Sequence, residues 1–182
     1  MKYEYLKFND MKKIRKTIGL IVMFKNKEKR FIAALQTRGN FNTEKNKQET
    51  YKSASQLTVH GGINEKESEI NALLRETKEE LGKKFAKIIE LNKNKIIKLN
   101  RVKNDKISAV NFGLMLAEID LDKIKINKQT DGSLRLISKN EISNIRELKP
   151  SDKTNGIANK NEIAMFFDDI ETVKLAFKKL TK

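Results

Sequence analysis

The sequence predicts an α/β fold, because segments typical of strands and segments typical of helices alternate along its 182 residues. Short runs of β-branched and apolar residues between polar turns indicate strands. A central segment and the C-terminal segment instead space their apolar residues three and four positions apart, which indicates helices with one apolar face. No internal repeat and no linker divides the chain, so we expect a single domain over residues 1–182.

The first strands predict a hairpin. Residues 17–24 (TIGLIVMF) and 30–36 (RFIAALQ) are strand-like, and the polar residues 25–29 join them. Residues 55–60 predict a third strand. The polar segment 37–54 in front of it is as consistent with a lid over a substrate as with an exposed surface loop.

The second half of the chain predicts four strands and two helices. The apolar run 108–118 is nearly continuous, which is typical of a strand covered on both faces, so we expect it inside the sheet. The aromatic residues of the C-terminal helix fit an apolar face packed on that sheet better than a platform for stacking nucleobases. The predicted strands are 86–92, 95–102, 107–119 and 134–138, and the predicted helices are 140–148 and the segment from residue 159 onward.

The most informative segment is 61–83, which reads GGINEKESEINALLRETKEELGK. Its apolar residues recur at helical spacing after a Gly-Gly turn, so it predicts a helix. At roughly 100° per residue, Glu76, Glu79 and Glu80 share one arc of that helix beside the apolar face. Gly82 is where we expect the helix to end, because glycine accepts the left-handed conformation without a Cβ clash.

Three carboxylates this close repel one another, and each like-charged pair costs an isolated helix about 0.2–0.5 kcal/mol. Oxygen-only ligands in such a cluster suit a hard divalent cation, Mg²⁺ or Mn²⁺, which keeps some of its waters and bridges to substrate phosphates. Arg75 lies next to the arc, where its planar fork can pair with Glu79 or a neighbouring carboxylate. An acidic helix alone is typical of a solvated face, but glycines on both sides and an arginine inside favour a metal site.

The spacing across 61–83 is G-x5-E-x7-R-E-U-x-E-E-x-G-U, where U is a bulky aliphatic residue, and it resembles the Nudix box. Thr77 and Lys83 depart from the pattern at the two aliphatic positions. The resemblance to the Nudix hydrolases implies an α/β/α sandwich with a mixed sheet, in which the box forms a loop-helix-loop catalytic motif.

The resemblance also implies an activity. Nudix hydrolases cleave the diphosphate bond of a nucleoside diphosphate linked to another moiety, such as a dNTP, a nucleotide sugar, a dinucleoside polyphosphate or capped RNA. The alternative is a basic Nudix-fold protein that binds a nucleotide or RNA with little or no turnover.

Mg²⁺ is the expected cofactor, with Mn²⁺ as a substitute. By the same resemblance, Glu76, Glu79 and Glu80 would be the metal ligands, together with the backbone carbonyl of His60.

Other residues of the box take supporting roles by the same resemblance. Glu67 and Arg75 match the positions that brace the helix and the loop. A general base is also expected, and Glu79 is one candidate. Asp131 is another, because it lies in a downstream loop where relatives often carry an acid, although an Asp-Gly pair is also what an ordinary turn requires.

Substrate contacts are less well defined by the sequence. Arg38 and Tyr51 lie in the polar segment before the box and are candidates for phosphate or base contacts. Glu118, at the end of a predicted strand, is a candidate for reaching the metal, although a glutamate at a strand end is usually solvated.

The composition is strongly basic, with 39 Lys and Arg against 24 Asp and Glu and a net charge of +15. Such a charge can steer polyanions, including nucleotides and RNA, towards a site. The lysines are dispersed along the chain without interleaved aromatics, which favours a compositional bias over a nucleic-acid surface, and RNA stays a possible partner. The chain contains no cysteine, no apolar run that could span a bilayer and no apolar core near its N-terminus, so we expect a cytoplasmic enzyme that does not associate with membranes.

Overall fold

The structure is a computed structural model, and it describes residues 14–42, 46–117, 132–159 and 161–182. No helix in these ranges is both long enough and apolar enough to cross a bilayer. The strands are β1 Arg15–Lys25, β2 Phe31–Thr37, β3 Phe41–Asn42, β4 Lys47–Gln48, β5 Ser55–Gln56, β6 Val59–Gly62, β7 Ile97–Lys103, β8 Ile107–Leu116, β9 Ser133–Ser138, β10 Ile145–Glu147 and β11 Ile163–Met165. The helices are α1 Glu69–Leu91, α2 Asp152–Asn155 and α3 Phe167–Leu180, and two 3-10 helices cover Lys93–Lys95 and Lys139–Asn144.

A mixed, seven-stranded sheet forms the centre of the described chain. Its main path runs β5-β2-β1-β8-β7, while β6 pairs with β1 and β9 pairs with β2. One edge of β1 pairs in parallel with β8, and the other edge pairs antiparallel first with β6 and then with β2. His60 lies opposite Gly19 and Gly61 opposite Ile18. The central strand therefore fixes the position of the glycine turn that leads towards α1.

Helices cover both faces of this sheet. Ile18 and Leu20 of β1 belong to the core that α1 covers, and Ile21 and Met23 belong to the core that α3 covers. Successive side chains of a strand point to opposite faces, so a strand between two helical layers is apolar at nearly every position. The α/β/α sandwich with a mixed sheet that the sequence predicted is confirmed.

The hairpin of β1 and β2, the interior position of β8 and the strand β9 agree with the sequence predictions. The predicted strand 55–60 is instead two short strands, β5 and β6. Between them the hydroxyl of Thr58 accepts a hydrogen bond from the Val22 N–H at 2.8 Å and donates one to the carbonyl of Ala34. The Thr58 side chain therefore replaces a backbone partner at the point where β5, paired with β2, is followed by β6, paired with β1.

The predicted strand 86–92 is wrong, because helix α1 continues to Leu91. Gly82 ends the first helical segment as expected, with φ 83° and ψ 164°, but a second segment follows at once. Phe85 and Ile89 lie four residues apart and are buried in the core under α1. That spacing suits one face of a helix as well as a short apolar run suits a strand, and packing on the sheet decides between them.

Two predictions near the C-terminus are also corrected. The predicted helix 140–148 is a 3-10 helix followed by β10, and the predicted helix from residue 159 begins only at Phe167, after β11. Strands β10 and β11 pair in parallel, which takes Ile163 out of the helix and into a small second sheet. Phe177 is buried as predicted, whereas Phe166 and Phe167 are 39% and 61% exposed.

The segment around α2 holds the loop that carries Tyr51. The Lys52 carbonyl accepts a hydrogen bond from the Ile157 N–H at 2.9 Å, and Tyr51 packs against a small buried cluster that includes Ile157. Asp152 anchors this segment, because its carboxylate accepts bonds at 2.7 Å from both the Arg146 guanidinium and the Lys149 N–H. Arg146 holds the pKa of Asp152 below its ordinary value.

Replacing Asp152 with alanine removes this anchor. We expect the free energy of unfolding at pH 7 to fall by about 1–3 kcal/mol, because the Lys149 N–H and both terminal nitrogens of Arg146 lose their acceptor. A lowered folded pKa means that the stabilisation is present above pH 3.8 and is lost as the pH falls through the folded pKa. Urea unfolding at several pH values measures the difference, with the exposed Glu147→Ala as the matched control. Equal stability of wild type and Asp152→Ala at pH 7 would contradict the anchoring role.

Candidate active site

The glutamates of α1 lie against the backbone of β6. Ser68 caps the helix, since its hydroxyl accepts the Asn71 N–H at 3.2 Å. Two turns later, Glu76 accepts the Gly62 N–H at 3.0 Å. One turn beyond that, Glu80 accepts the His60 N–H at 3.2 Å. The helix and the glycine turn thus meet through carboxylate-to-backbone bonds.

Arg75 ties the loop, the turn and the helix together. Its Nε and Nη2 donate to the two carboxylate oxygens of Glu67, both at 3.0 Å. Nη2 also donates to the Gly62 carbonyl at 2.7 Å. Nη1 donates to Glu76 at 2.8 Å and to Glu79 at 3.1 Å. The structure therefore brings together Glu67, Arg75 and the carboxylates as the sequence pattern suggested.

The close approach of the turn to the helix requires glycine at position 61. A Cβ atom built on Gly61 would lie 1.9 Å from Cδ of Glu76 and 2.3 Å from each of its oxygens. A Cβ atom on the neighbouring Gly62 would meet nothing within 4 Å. Only Gly61 is needed for the carboxylate to reach its place.

Burial and mutual repulsion act on these carboxylates. Burial raises the pKa of Glu76, and it raises the pKa of Glu80 to about 8. The guanidinium of Arg75 lowers the pKa of Glu67 instead. Burial also lowers the pKa of His60, which keeps its imidazole neutral at pH 7. For Glu76 and Glu80, the cost of burying the charge therefore outweighs the hydrogen bonds and positive charges around them.

The chemistry of the cluster, rather than its present geometry, suits a hard cation. No described residue donates a hydrogen bond to Oε2 of Glu76 or to Oε1 of Glu80. Within the described ranges, no three acidic or imidazole side chains already surround a common metal position. Side-chain rotations would have to gather the oxygens, whose hard, anionic chemistry fits Mg²⁺ or Mn²⁺.

A cavity of about 810 Å³ opens in front of the cluster, a size suited to a nucleotide-like ligand. Arg38 and Tyr51, both predicted as substrate contacts, line it together with His60. Arg38 forms a 2.8 Å ion pair with Glu49. The positive charge of Arg38 also acts to lower the pKa values of His60, Glu80 and Asp169, which places Arg38 close to the box. Glu67 and Arg75 lie behind the carboxylates and do not line the cavity.

Some residues of the cavity were missed by sequence reasoning. Arg15 stands at the start of β1, while Phe166, Asp168 and Asp169 lie where β11 passes into α3. Two acids in the first turn of a helix are what any helix N-terminus favours, so the sequence holds no signal that separates them from ordinary capping residues. The predicted candidates Glu118 and Asp131 lie outside the described residues.

Asp169 has an unusual setting. It is 2% exposed, and its Oδ1 atom has no hydrogen-bond partner among the described residues. Burial raises the pKa of this carboxyl well above its ordinary value, and the nearby Asp168 adds to the effect. A buried acid without a donor is costly to the fold, so a role in the cavity wall is the natural reason for its presence.

The comparisons with known proteins give information about the fold and not about the function. A comparison with protein-family models found no match, and neither did a comparison with curated proteins. A MutT/nudix family protein from Enterococcus faecalis matches with a TM-score of 0.60 and 18% identity over 100% of this chain, which spans 65% of that protein. The NUDIX domain of Shewanella oneidensis NrtR, complexed with ADP ribose, matches with a TM-score of 0.60 and 12% identity over 92% of this chain and 88% of its own.

A mutT/nudix family protein from Listeria innocua matches over nearly its whole length, with a TM-score of 0.56 and 15% identity over 92% of this chain and 94% of its own. Identities this low establish a shared fold, while function must be argued from the site. The chain therefore has the fold of the MutT/Nudix proteins, which confirms the fold that the box implied.

Replacing Asp169 with asparagine should stabilise the protein at neutral and alkaline pH. A raised folded pKa means that the folded state holds its proton longer, so the wild type loses stability as the pH rises above 3.8 through the folded pKa. We expect Asp169→Asn to be more stable at pH 8 by about 1–3 kcal/mol and to approach the wild type at pH 3.5. Thermal and urea unfolding measure this, with the neighbouring, half-buried Asp168→Asn as control. A less stable Asp169→Asn variant at pH 8 would show that the carboxylate has an undetected partner.

Proposed function

We propose that this protein is a metal-dependent pyrophosphohydrolase that cleaves the diphosphate bond of a nucleoside diphosphate linked to another moiety. One observation carries the proposal: Glu76 and Glu80 bond to the backbone of the glycine turn, and together with Glu79 they line a cavity of nucleotide size. Burial raises the pKa of Glu76 and Glu80 although Arg75 bonds to Glu76 and Glu79, so additional positive charge would stabilise the cluster. A divalent cation held by these carboxylates would supply that charge.

The proposed metal ligands are the carboxylates of Glu76, Glu79 and Glu80 and the backbone carbonyl of His60, with Mg²⁺ as the metal and Mn²⁺ as a substitute. When bound, such a cation lowers the pKa of a coordinated water and neutralises charge on the diphosphate. Arg75 keeps the carboxylates in place through its bonds to Glu76 and Glu79. Oxygens of Glu76 and Glu80 without described donors remain for the metal.

Cationic side chains in the cavity wall suit the phosphates. Arg38 and Arg15 line the cavity, and so does Lys47. Arg38 already has a partner in Glu49, so its guanidinium is held in one orientation before a substrate arrives. A guanidinium can donate to a phosphate oxygen with the arm that its carboxylate partner leaves open. We therefore assign Arg38 the task of orienting the diphosphate.

Proton transfer from the attacking water needs a base. Glu79 is the most exposed of the three carboxylates, with 53% of its side chain accessible, so it can reach solvent. Its bond to Arg75 fixes its direction. We propose Glu79 as the base, acting through a carboxylate oxygen that the metal would leave free, and Asp131, outside the described residues, as the other candidate.

Replacing a proposed metal ligand should abolish hydrolysis. We expect Glu80→Gln and Glu79→Gln to lower kcat/KM by about a hundredfold or more, because each removes charge that stabilises the transition state by several kcal/mol. A panel of dNTPs, ADP-ribose, dinucleoside polyphosphates and capped RNA, assayed with and without Mg²⁺, identifies the substrate class. Glu90→Gln is the matched control, since Glu90 lies on the same helix but pairs only with Lys87 among the described residues.

Two outcomes contradict the proposal in different ways. Hydrolysis that survives Glu80→Gln, or that needs no divalent cation, removes the proposed site. If no member of the panel is hydrolysed, yet nucleotide or RNA binds with strong salt dependence, then the protein is a basic binding module on a Nudix fold. In that case binding should be unaffected by Glu80→Gln.

The glycine turn offers a second test that leaves every carboxylate present. We expect Gly61→Ala to displace the carboxylate of Glu76 and to lower metal-dependent turnover by about tenfold to a hundredfold, as loss of a supporting contact does in metal sites. Gly62→Ala should remain near wild type, since the added methyl group meets no atom and the backbone bonds are kept. Calorimetric titration with Mn²⁺ and steady-state kinetics measure both variants. Equal behaviour of the two variants would refute the role of Glu76.

A further inference from the structure

A buried polar cluster joins helix α3 to two strands of the sheet. The side-chain amide of Asn111, on β8, donates to the hydroxyl of Thr172, on α3, at 2.8 Å. The side-chain amide of Asn100, on β7, donates to the same hydroxyl at 3.1 Å. Asn111 is 1% exposed and Thr172 is fully buried. Two strands therefore bond to the helix through one oxygen atom, inside the core layer that α3 covers.

The sheet is irregular where it makes this contact. The register of β7 on β8 shifts between Lys98 and Asn100, so that Asn100 pairs with Asn111. Leu99 and Asn100 are successive residues, yet both contact the α3 layer, as expected at a β-bulge that re-aims a side chain. On β1, Gly19 lies opposite Asn111, and a Cβ atom there would be 2.5 Å from the Asn111 Oδ1 atom. The bulge and the glycine thus allow the two amides to reach the helix.

The hydroxyl of Thr172 also connects the cluster to the first turn of α3. It donates to the carbonyl of Asp168, one turn earlier, at 2.7 Å. Phe166, the residue before the helix, provides no side-chain cap for that turn. Asp168 itself lines the cavity. Burial lowers the pKa of His60 and the charge of Asp168 acts against that shift, which places Asp168 near the glycine turn. The cluster therefore helps to determine where this part of the cavity wall lies.

The cluster is also aligned with the glycine turn across the sheet. The strand pairings align one residue each from β7, β8, β1 and β6, namely Asn100, Asn111, Gly19 and His60. Buried amides are costly unless they are hydrogen-bonded, and a satisfied buried network specifies one packing of the elements that it joins. An apolar core, in contrast, keeps its stability more easily than its uniqueness when it is repacked. The cluster is therefore better suited to fixing the position of α3 than to adding stability.

We propose that the three residues of this cluster, Asn100, Asn111 and Thr172, are positioning residues of the candidate active site. They keep the first turn of α3 at a fixed distance from His60 and the glycine turn. None of the three lines the cavity, so they act only through the turn that carries Asp168. The inference rests on the proposed function, because the position of this turn affects turnover only if the cavity receives the substrate.

Removing the hydroxyl of Thr172 should lower turnover and leave metal binding unchanged. We expect Thr172→Val, which has nearly the shape of threonine, to lower kcat/KM by about tenfold to a hundredfold, because a misplacement of about 1 Å can cost that much. The kinetics use the nucleotide of the panel that the wild type hydrolyses fastest. Calorimetric titration with Mn²⁺ should give the wild-type affinity, since the proposed ligands lie on α1 and β6 and not on α3.

Two further variants separate positioning from a general loss of helix stability. Thr172→Ser keeps the hydroxyl and should retain most of the wild-type kcat/KM. Thr181→Val is the matched control, because the Thr181 hydroxyl makes the same bond to a carbonyl one turn earlier, at the other end of α3. We expect its kcat/KM to equal that of the wild type.

A second measurement needs no turnover. His60 is the one histidine of the chain, so its imidazole protons give unambiguous NMR signals. We expect these signals at pH 7 to shift in Thr172→Val, because the charge of Asp168 moves relative to the ring. They should keep their wild-type positions in Thr172→Ser and Thr181→Val. Asn100→Ala removes one donor from the less buried end of the cluster, and it carries both measurements if Thr172→Val does not fold.

The outcomes distinguish failure of this inference from failure of the proposed function. If nucleotides are hydrolysed and folded Thr172→Val keeps the wild-type kcat/KM and the wild-type His60 signals, the proposed function stands and the positioning role is wrong. Equal losses in Thr172→Val and Thr181→Val also overturn the positioning role. If the His60 signals shift only in Thr172→Val but no nucleotide is hydrolysed, the cluster positions the turn and the proposed function fails.

Discussion

The guanidinium of Arg75 is the interaction on which the rest of the site depends. It donates hydrogen bonds to the carboxylate of Glu67, to the Gly62 carbonyl and to Glu76 and Glu79 on its own helix. These groups belong to a loop, a strand and a helix, and their shared bonds to Arg75 hold the three elements in one geometry. The bond to Glu67 raises the pKa of Arg75, so it stays charged at every physiological pH. A flexible lysine could not form this many directed bonds at once.

The sheet gives that interaction a fixed frame. β1 pairs with β6 in a register that sets Gly61 opposite Ile18, and α1 packs on the same strand through its apolar face. The turn and the helix are therefore positioned separately by one strand, and the gap between them is so narrow that only glycine fits at position 61. Functional groups held by strands and helices keep their geometry better than groups on loops. The cavity combines this rigid part with the loop of Tyr51.

Most of the predictions that the sequence allowed came from the box, residues 61–83. Its spacing identified the helix, the glutamate cluster, the bracing pair of Glu67 and Arg75 and, by resemblance, the fold. Local pattern was sufficient there because helical spacing and glycine turns are short-range features. Arg38 and Tyr51 were found as candidates because they lie in a polar segment next to the box, although nothing local distinguished them from surface residues.

Features set by tertiary contacts were missed. Residues 86–92 and 163–165 contain apolar runs that suit a helix or a strand, and their final state depends on whether α1 or β10 offers a partner. Asp169 and Phe166 join the cavity only because β11 delivers them to it, and their sequence resembles a helix start with an apolar face. Burial of Asp169 and exposure of Phe166 reverse what residue type alone predicts.

The most direct test of the central claim is to locate the metal. Crystals grown with Mn²⁺ and measured near the manganese absorption edge reveal the ion by its anomalous signal, independently of any substrate. We predict an anomalous peak bounded by the carboxylates of Glu76, Glu79 and Glu80, with Arg75 still bonded to Glu67. Crystals saturated with Mn²⁺ that have no peak at these glutamates, or a peak only elsewhere on the protein, would contradict the account.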